Sequence, residues 1–441
     1  MASEELELQV DRPVHGGRCV AYPTGGGEGA AAVAAPATAD ARPRRGRVVL
    51  LAGGIPGEVV RARVETHKGV TFGATIEVLA ASPDRVPAPA HPGLDLGHVA
   101  LERQLALKHE VLLDAARRAG VELPGTVPPV TPSPAAWGYR SGVQPALGPP
   151  SDTGATTPLG YRRPGGHEVV VLDRDPTANP ACASAWSALQ ATPLPAGVVE
   201  VAIRGSDDGE ALVALVATGD ARDALDAAHA LVRAGVAGVA LAPYDPRGRF
   251  RGGAQRLAGA RSLTQRYGDA EITLSATAFA QPNPAAAGEL FRSLASWAPP
   301  ARHALDLYAG NGVIAMHLAP RSERVTVIEI DRGAVERGRA DAARAGLTQL
   351  MYLRLDAREV RVPDDVDLVS VDPPRAGLAA ATRRAIAESR ARTLVYVSCD
   401  VATWARDVAD LRRAGFRLER LQPFDFQPHT HHLELLSLLS R

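Results

Sequence analysis

The stretch that decides the fold is Asp306-Leu307-Tyr308-Ala309-Gly310-Asn311-Gly312-Val313-Ile314-Ala315, which continues the apolar run at 303–308. Glycines at 310 and 312 let the backbone turn sharply and approach a ligand at the start of the next helix. The following apolar run ends near Glu329, where a carboxylate can accept hydrogen bonds from a ribose diol. The pattern predicts a nucleotide-type cofactor site with Gly310, Gly312 and Glu329 among its binding residues. A nicotinamide enzyme could use the same arrangement, so the motif alone leaves the cofactor open.

The rest of the C-terminal region alternates apolar runs with segments of helical periodicity. The predicted strands lie at 303–308, 324–330, 351–355, 366–371 and 393–398, and the helices between and after them at 332–345, 376–391 and 402–414. This alternation is typical of a doubly wound parallel sheet, so we predict an α/β, Rossmann-like domain. Two further strand-like runs, at 416–424 and 432–439, predict a final antiparallel pair.

The upstream region is organised differently. Five or so short strand-like runs separated by glycine fill residues 1–82 and predict a small OB-like β-barrel, with a Gly/Ala/Pro-rich loop at 24–46. A proline-rich linker then leads to a central α+β region at 92–275. Its first helix, predicted over 98–119, is a candidate for packing on the C-terminal domain, which we place at 276–441.

The charge composition argues against non-specific attraction to nucleic acid. The 441 residues include 49 basic and 49 acidic side chains, so the formal net charge is zero. All the basic residues except Lys68 and Lys108 are arginines, whose planar guanidinium groups suit phosphate forks and base stacking. Any nucleic-acid contact should therefore depend on local arginine patches rather than on bulk charge.

The cysteines indicate a reduced setting. Cys19, Cys182 and Cys399 lie too far apart in sequence for a disulfide framework or a thiolate metal cage. With no secretory signal and no apolar run long enough to span a membrane, we expect a cytoplasmic protein without a membrane partner. Cys19 and Cys182 are expected to be buried hydrophobes. Cys399 differs because it ends a predicted strand beside a helix start, where the helix dipole and nearby arginines are expected to lower its thiol pKa.

Four segments resemble motifs of known proteins, and three of the four resemble those of a single family. Asp372-Pro373-Pro374-Arg375 resembles the strand-end motif of S-adenosylmethionine-dependent methyltransferases that act on planar nitrogens or bases. Three other segments are Ser398-Cys399-Asp400-Val401-Ala402-Thr403-Trp404-Ala405-Arg406-Asp407, Asp425-Phe426-Gln427-Pro428-His429-Thr430-His431-His432-Leu433-Glu434 and Phe279-Ala280-Gln281-Pro282-Asn283. Each of them resembles a segment of the RNA uracil-C5 methyltransferases. These enzymes make 5-methyluridine in tRNA and ribosomal RNA, and the segments occur here in the family's order.

The resemblance implies a fold, a cofactor and a mechanism. The C-terminal sheet would be a class I methyltransferase domain that binds S-adenosylmethionine, and the N-terminal barrel a TRAM domain that binds tRNA or rRNA. Cys399 would attack C6 of uracil and Glu434 would remove the C5 proton. The positions that match the family's cofactor contacts are Gln281, Tyr308, Glu329 and Asp372. No obligate protein partner is evident.

Two departures from the family pattern bear on cofactors and substrate. Some family members carry an iron–sulfur cluster on cysteines, but the corresponding stretch here, 89–98, has none, so no cluster is expected. The family's Asn-Pro after the cysteine is Asp400-Val401, and Gln427 replaces a Phe, which puts substrate identity in question more than reaction type. His429, His431 and His432 lack the spacing of metal ligands, so no metal site is expected.

Other interpretations remain open at this point. The chain could be a methyltransferase of a small molecule or protein with Cys399 structural, although such a reaction needs no RNA-binding barrel. It could also be a non-catalytic RNA-binding protein, which would need neither Cys399 nor Glu434. Near the cofactor loop, Asp306 could only orient the glycines and Asp331 could only cap the next helix.

Overall fold

The computed structural model describes two compact units. One unit contains Met1–Pro89, Leu94–Ala115 and Pro428–His432, and the other contains Ala90–Gly93, Ala116–Gln427 and Leu433–Arg441. The predicted loop at 24–46 lies outside the described residues except for Thr24. The described residues are 3–24, 47–149, 157–218, 224–246, 250 and 253–441.

The first unit is built on a closed five-stranded barrel. Its strands are β1 (Glu4–Val14), β2 (Arg18–Pro23), β3 (Val49–Ala52), β4 (Val59–His67) and β5 (Val70–Ala80). Their order around the barrel is β1-β2-β3-β5-β4, with β3 and β5 parallel, which is an OB-like arrangement as predicted. Alternate apolar residues point inward, among them Leu8, Val10 and Val60, because side chains in a strand alternate between its faces. Cys19 lies in this core, in line with the expectation of a structural cysteine.

A single long helix follows the barrel. Helix α1 spans Leu101–Arg118, within the predicted 98–119, and its residues up to 115 belong to the first unit. Leu107 and Leu112 on its apolar face are buried. Gln104 on the same helix is also fully buried, and its amide makes hydrogen bonds that become important below. The packing of this helix on the catalytic domain stays a prediction.

The second unit begins with an eight-stranded sheet. Its strands are β6 (Gly142–Val143), β7 (Ala146–Leu147), β8 (Leu159–Arg162), β9 (Val169–Val171), β10 (Val198–Gly205), β11 (Ala211–Ala217), β12 (Gly238–Pro243) and β13 (Gln255–Gly259). They run in the order β13-β12-β11-β10-β7-β8-β9, with β6 beside β10. Helices α2 (Pro180–Gln190) and α3 (Ala224–Arg233) share a core with the sheet. Cys182 is buried in that core, as expected.

The second sheet of this unit carries the predicted α/β fold. A hairpin of β14 (Leu263–Tyr267) and β15 (Ala270–Leu274) and helix α4 (Pro284–Trp297) precede it. Its strands are β16 (Ala301–Leu307), β17 (Ser322–Glu329), β18 (Leu350–Arg354), β19 (Leu368–Val371), β20 (Thr393–Ser398), β21 (Arg417–Phe424) and β22 (Glu434–Ser440). The helices are α5 (Val313–Leu318), α6 (Arg332–Arg344), α7 (Ala380–Glu388) and α8 (Val401–Arg413).

The strand order of this sheet fixes where a ligand can bind. The order is β18-β17-β16-β19-β20-β22-β21, with β16 to β20 parallel and β22 antiparallel to both of its neighbours. The predicted doubly wound sheet and its antiparallel final pair are therefore confirmed. The direction of winding reverses between β16 and β19, and ligands of such sheets bind at the carboxyl ends of the strands beside that reversal. Among the described residues, no helix is long and apolar enough to cross a membrane.

Candidate active site

The glycine loop after β16 has the geometry that its sequence predicts. Gly310 and Gly312 have φ angles of 55° and 86°, in the left-handed region that favours glycine. A Cβ at Gly312 would overlap Tyr352 Oη and lie 3.0 Å from its Cε1, so the loop passes too close to Tyr352 for a larger residue. No atom lies within 4 Å of the Cβ position of Gly310, so open space borders the loop there.

Tyr308 begins this loop in an unusual conformation. Its φ is 60°, which is uncommon for a residue with a side chain. Its hydroxyl is 3.0 Å from Thr382 Oγ1, a buried threonine on α7. The hydrogen bond directs the partly exposed ring from the end of β16 towards α7. The ring therefore lies at the carboxyl edge of the sheet, where the family resemblance places a cofactor contact.

Glu329 ties the end of β17 to the glycine loop. Its Oε2 accepts the Gly310 backbone N–H at 2.8 Å, and its Oε1 accepts the Asp331 N–H at 2.8 Å. Each oxygen keeps a further lone pair for a ligand hydroxyl. Asp331 itself caps α6, since its Oδ1 accepts the Ala334 N–H at 2.6 Å. The structural interpretation of Asp331 is therefore correct.

Asp306 lies behind the loop rather than in it. The buried carboxylate accepts the Ala315 N–H at 3.2 Å and the Ser370 hydroxyl at 2.6 Å. Burial, opposed by the Ser370 hydrogen bond and reinforced by Asp372, raises the pKa of Asp306 to about 7. The hydrogen bond to Ala315 orients the start of α5, so Asp306 holds the loop, as its structural alternative predicts.

Asp372 and Gln281 meet at the end of β19. Gln281 Nε2 donates to Asp372 Oδ2 at 3.2 Å, although the two residues are 91 positions apart in sequence. Burial raises the pKa of Asp372 to about 7, and the hydrogen bond from Gln281 opposes this only in part. Phe279, two residues before Gln281, has 79% of its surface exposed, which is rare for an aromatic side chain.

Cys399 and Glu434 lie opposite each other at the end of the sheet. In the antiparallel pairing of β20 with β22, Ser398 is the partner of Leu435. The next pair in that register is Cys399 and Glu434. They are 35 positions apart in sequence, but the register brings thiol and carboxylate to one edge of the sheet, beside β19, which Asp372 follows directly.

The environment of Cys399 differs from the expectation. Burial raises the pKa of its thiol to about 12, and the carboxylates of Glu434 and Asp372 act in the same direction, while Arg375 opposes them. The predicted lowering of this pKa is therefore wrong for the free protein. The helix dipole does not help because Asp400 caps α8, accepting the Thr403 N–H at 2.9 Å and adding a negative charge beside the thiol.

Glu434 is a deeply buried acid at this edge of the sheet. Only 4% of the residue is exposed, and its Oε2 has no hydrogen-bond partner among the described residues. Burial and the neighbouring Asp372 raise its pKa well above the ordinary value, against the attraction of Arg375. A carboxyl with a raised pKa is a better proton acceptor than an ordinary one, which suits a general base.

Arg375 is the residue whose role the sequence left unassigned. It follows the Asp-Pro-Pro segment, and its positive charge opposes the raised pKa values of both Cys399 and Glu434. Its place directly after that strand-end motif is the signal that could have identified it.

No group of three or more His, Cys, Asp or Glu that could hold a metal ion occurs among the described residues.

Comparisons with known proteins show the family to which the chain belongs. A sheet of this order with a glycine loop and an acidic strand end at the winding reversal defines a Rossmann-like fold with a nucleotide-type cofactor site. The sequence profile of the tRNA (uracil-5-)-methyltransferase family matches residues 267–441. A 23S rRNA (uracil(1939)-C(5))-methyltransferase, RlmD, of Chromohalobacter salexigens is 32% identical over 91% of this chain and 86% of its own length. The chain belongs to the family of RNA uracil-C5 methyltransferases, which use S-adenosylmethionine as methyl donor.

A second relative and a solved structure each match most of the chain. An uncharacterised RNA methyltransferase of Thermosynechococcus vestitus is 32% identical over 89% of this chain and 93% of its own length. The crystal structure of Pyrococcus abyssi tRNA (uracil-54, C5)-methyltransferase in complex with S-adenosyl-L-homocysteine has a TM-score of 0.73. It covers 98% of this chain and 100% of its own at 22% identity, a likeness of fold that includes the barrel and both sheets.

Proposed function

We propose that this protein transfers a methyl group from S-adenosylmethionine to C5 of a uridine in tRNA or rRNA, through a covalent bond between Cys399 and C6. The observation that carries the proposal is the register of β20 and β22, which sets Cys399 opposite Glu434. A nucleophile and a buried carboxylate at one strand end are the two groups that methylation of C5 needs.

The glycine loop and its neighbours fit the cofactor. Open space beside Gly310 and the two oxygens of Glu329 suit a ribose with vicinal hydroxyl groups. We assign Tyr308, Gly310, Gly312 and Glu329 to this half of the site. Gln281 and Asp372 would hold polar groups of cofactor or uracil nearer the reacting atoms. Bound S-adenosylmethionine supplies the methyl carbon as an electrophile, and its sulfur keeps the electron pair of the broken bond.

Cys399 begins the reaction. Its thiol proton passes to water, its sulfur bonds to C6 of uracil, and the π electrons of C5–C6 move to the C4 carbonyl oxygen as an enolate. Those electrons then return to bond C5 to the methyl carbon. The free thiol has a raised pKa, and we propose that the positive charge of Arg375, which opposes this shift, stabilises the Cys399 thiolate during the reaction.

Glu434 completes the reaction. Its carboxylate takes the proton from C5, and the electrons of that C–H bond restore the C5–C6 double bond. The bond between C6 and sulfur breaks, and the electron pair returns to Cys399. A carboxylate without a hydrogen bond at Oε2 is free to accept this proton. The target base must leave its stack to reach the sheet edge, and exposed Phe279 is our candidate for contacting it.

The barrel is the proposed RNA-binding module. The Arg18 guanidinium lies 5.2 Å from the ring centre of Phe72, which is exposed on β5 together with Val70 and Ile76. An exposed aromatic ring with an arginine stacked on it is a platform on which a base can stack. Since the relative aligned over 86% of its length is named for 23S rRNA, ribosomal RNA is the first substrate to test.

The test uses the full-length protein, methyl-labelled S-adenosylmethionine and RNA transcripts. We expect 5-methyluridine as the product, with release of label from RNA tritiated at C5 of uracil. Cys399→Ala should abolish both signals, and Glu434→Gln should trap a covalent protein–RNA adduct. Cys182→Ala, which alters a buried cysteine in α2, is the matched control and should retain activity.

Full activity of Cys399→Ala would refute the covalent mechanism. Methylation of a small molecule or protein instead of RNA would refute the substrate assignment. Mass spectrometry of RNA nucleosides from a deletion strain, mapped to position, would identify the modified uridine.

A further inference from the structure

A short segment before Glu434 is held by residues far from it in sequence. Residues 428–432 belong to the unit that contains the barrel, whereas the residues on both sides of the segment belong to the other unit. Two residues after the segment, Glu434 begins β22. Whatever fixes 428–432 therefore fixes the backbone that leads into the proposed base.

Gln104 of α1 holds the first part of the segment. Its Oε1 accepts the His429 backbone N–H at 2.7 Å, and its Nε2 lies 3.2 Å from His429 Nδ1. The same Nε2 donates to the Val99 carbonyl at 2.8 Å, so the buried amide is fixed from both sides. The Leu96 N–H also donates to the His429 carbonyl at 2.9 Å.

His429 needs this support because its backbone is strained. Its φ is 66°, in the left-handed region that residues with a Cβ seldom adopt. Such a conformation persists only where surrounding contacts determine it. Gln104 supplies these contacts on the N–H and the ring, and the turn at His429 sets the direction in which the chain continues towards Glu434.

Asp95 holds the second part of the segment. Its Oδ1 accepts the His431 N–H at 3.0 Å, and its Oδ2 lies 2.5 Å from His431 Nδ1. Although burial alone would raise it, the pKa of Asp95 is lowered by His431, with a smaller contribution from His432. Gly17, in the turn between β1 and β2, lies against this pair, and a Cβ there would overlap Asp95 Oδ2.

The backbone on both sides of Glu434 contributes to the placement of its carboxylate. The side chain is buried, and its Oε2 lacks a hydrogen-bond partner among the described residues. On the C-terminal side of Glu434, the pairing of β22 with β20 holds the backbone. On its N-terminal side, the backbone continues from the segment that Asp95 and Gln104 hold.

We infer that Asp95 and Gln104 are positioning residues that fix residues 428–432 and thereby set Glu434 for removal of the C5 proton. This inference rests on the proposed function and extends it to two residues outside the catalytic site. A shift of about 1 Å in a catalytic group can cost up to about 100-fold in rate. Loss of either residue should therefore slow the step that Glu434 performs, while Cys399 still adds to C6.

The experiment compares Asp95→Asn and Gln104→Ala with a control in the same unit. Glu58→Gln is that control, because the fully buried Glu58 accepts hydrogen bonds from Arg85 at 2.6 and 2.7 Å and from the Ile55 N–H at 2.8 Å. None of these partners belongs to 428–432. The measurements are kcat, KM for RNA, the fraction of protein held as covalent RNA adduct, and the midpoint of thermal unfolding.

We expect Asp95→Asn and Gln104→Ala to lower kcat by about 10- to 100-fold without raising KM, and to accumulate the adduct as Glu434→Gln does. Glu58→Gln should lose thermal stability without accumulating adduct. Gly17→Ala should reproduce the effect of Asp95→Asn, because it displaces that carboxylate from the barrel side.

Loss of kcat without adduct, or adduct in Glu58→Gln to the same extent, would overturn the inference. Wild-type kcat in the two variants would also overturn it. Failure of the proposed function is a separate outcome, since the wild-type protein would then form neither 5-methyluridine nor an adduct. If Gln104→Ala does not fold, Gln104→Glu keeps the acceptor for the His429 N–H but loses the donor, and adduct accumulation decides in the same way.

Discussion

The two glycines of the cofactor loop should respond differently to one added methyl group. Gly310→Ala places a Cβ in open space, so its cost to folding is only the left-handed backbone, about 1–2 kcal/mol. Gly312→Ala bears a similar backbone cost and also forces its Cβ against buried Tyr352, whose hydroxyl donates to the Asn311 carbonyl at 3.0 Å. Backbone strain plus overpacking gives a total of about 2–5 kcal/mol.

Gly310→Ala, which has the smaller effect on folding, should have a large effect on cofactor affinity. If the space beside Gly310 receives S-adenosylmethionine, Gly310→Ala should weaken binding of S-adenosylhomocysteine by at least about tenfold, or about 1.4 kcal/mol. The matched control is Gly346→Ala. Gly346 has a φ of 69° and no atom within 4 Å of its Cβ position, but it precedes β18 at the opposite edge of the sheet.

Calorimetric titration measures the affinity, and chemical denaturation measures the free energy of unfolding. Gly310→Ala and Gly346→Ala should unfold alike and differ only in ligand affinity. Equal affinity in these two variants would refute our placement of the cofactor. Wild-type stability of Gly312→Ala would refute the steric argument at Tyr352.

Four further outcomes are expected. Glu329→Ala leaves the Gly310 and Asp331 N–H groups without their acceptor, and calorimetry should show about 10- to 100-fold weaker binding of S-adenosylhomocysteine, given about 1.5–3 kcal/mol for a hydrogen bond to a charged group. Because the pKa of the Cys399 thiol is raised, iodoacetamide should label it slowly at pH 7 and faster as the pH rises, without a plateau below pH 9. Mass spectrometry measures the labelling, and rapid labelling at pH 7 would contradict the raised pKa. Asp372 has a pKa of about 7 in the folded protein, above its unfolded value of 3.8, so the folded protein binds more protons between these pH values. The free energy of unfolding should therefore fall as the pH rises from about 4 to about 7. Asp372→Asn should make this pH dependence weaker, as measured by denaturant titrations. Phe72→Ala should raise KM for RNA by about 5- to 100-fold, the equivalent of about 1–3 kcal/mol of stacking, and leave binding of S-adenosylhomocysteine unchanged.

Much of the catalytic sheet could be predicted because its signals are local. Buried parallel strands are continuous apolar runs, and the glycines of the loop mark the turn after β16. The predicted helix 376–391 is shorter in the structure, at Ala380–Glu388. It starts later because Gly377 adopts a φ of 73°, and it ends earlier because Ser389 is extended. Motif order, rather than any single motif, led from the sequence to the family.

The properties of the site that depend on distant residues could not be predicted. The thiol pKa of Cys399 follows from burial and from Glu434 and Asp372, which reach it from other strands. A local argument based on the helix dipole therefore gave the wrong direction. The pairing of Asp95 with His431 joins residues 336 positions apart, and no motif at Asp95 indicates it.

The contribution of residues 428–432 to the barrel unit has a consequence for biosynthesis. While the ribosome is still making the second sheet, Asp95 and Gln104 have no partners from that segment, so the unit cannot mature in the order of its sequence. A fragment cut after residue 82, at the predicted barrel boundary, would lack α1 as well as this segment. The barrel expressed alone would therefore lack part of the unit that surrounds it in the enzyme. RNA affinities measured on such a fragment would not equal those of the full-length protein. Contacts of such long sequence separation also form late and slowly, so we expect the enzyme to become active only after they have formed.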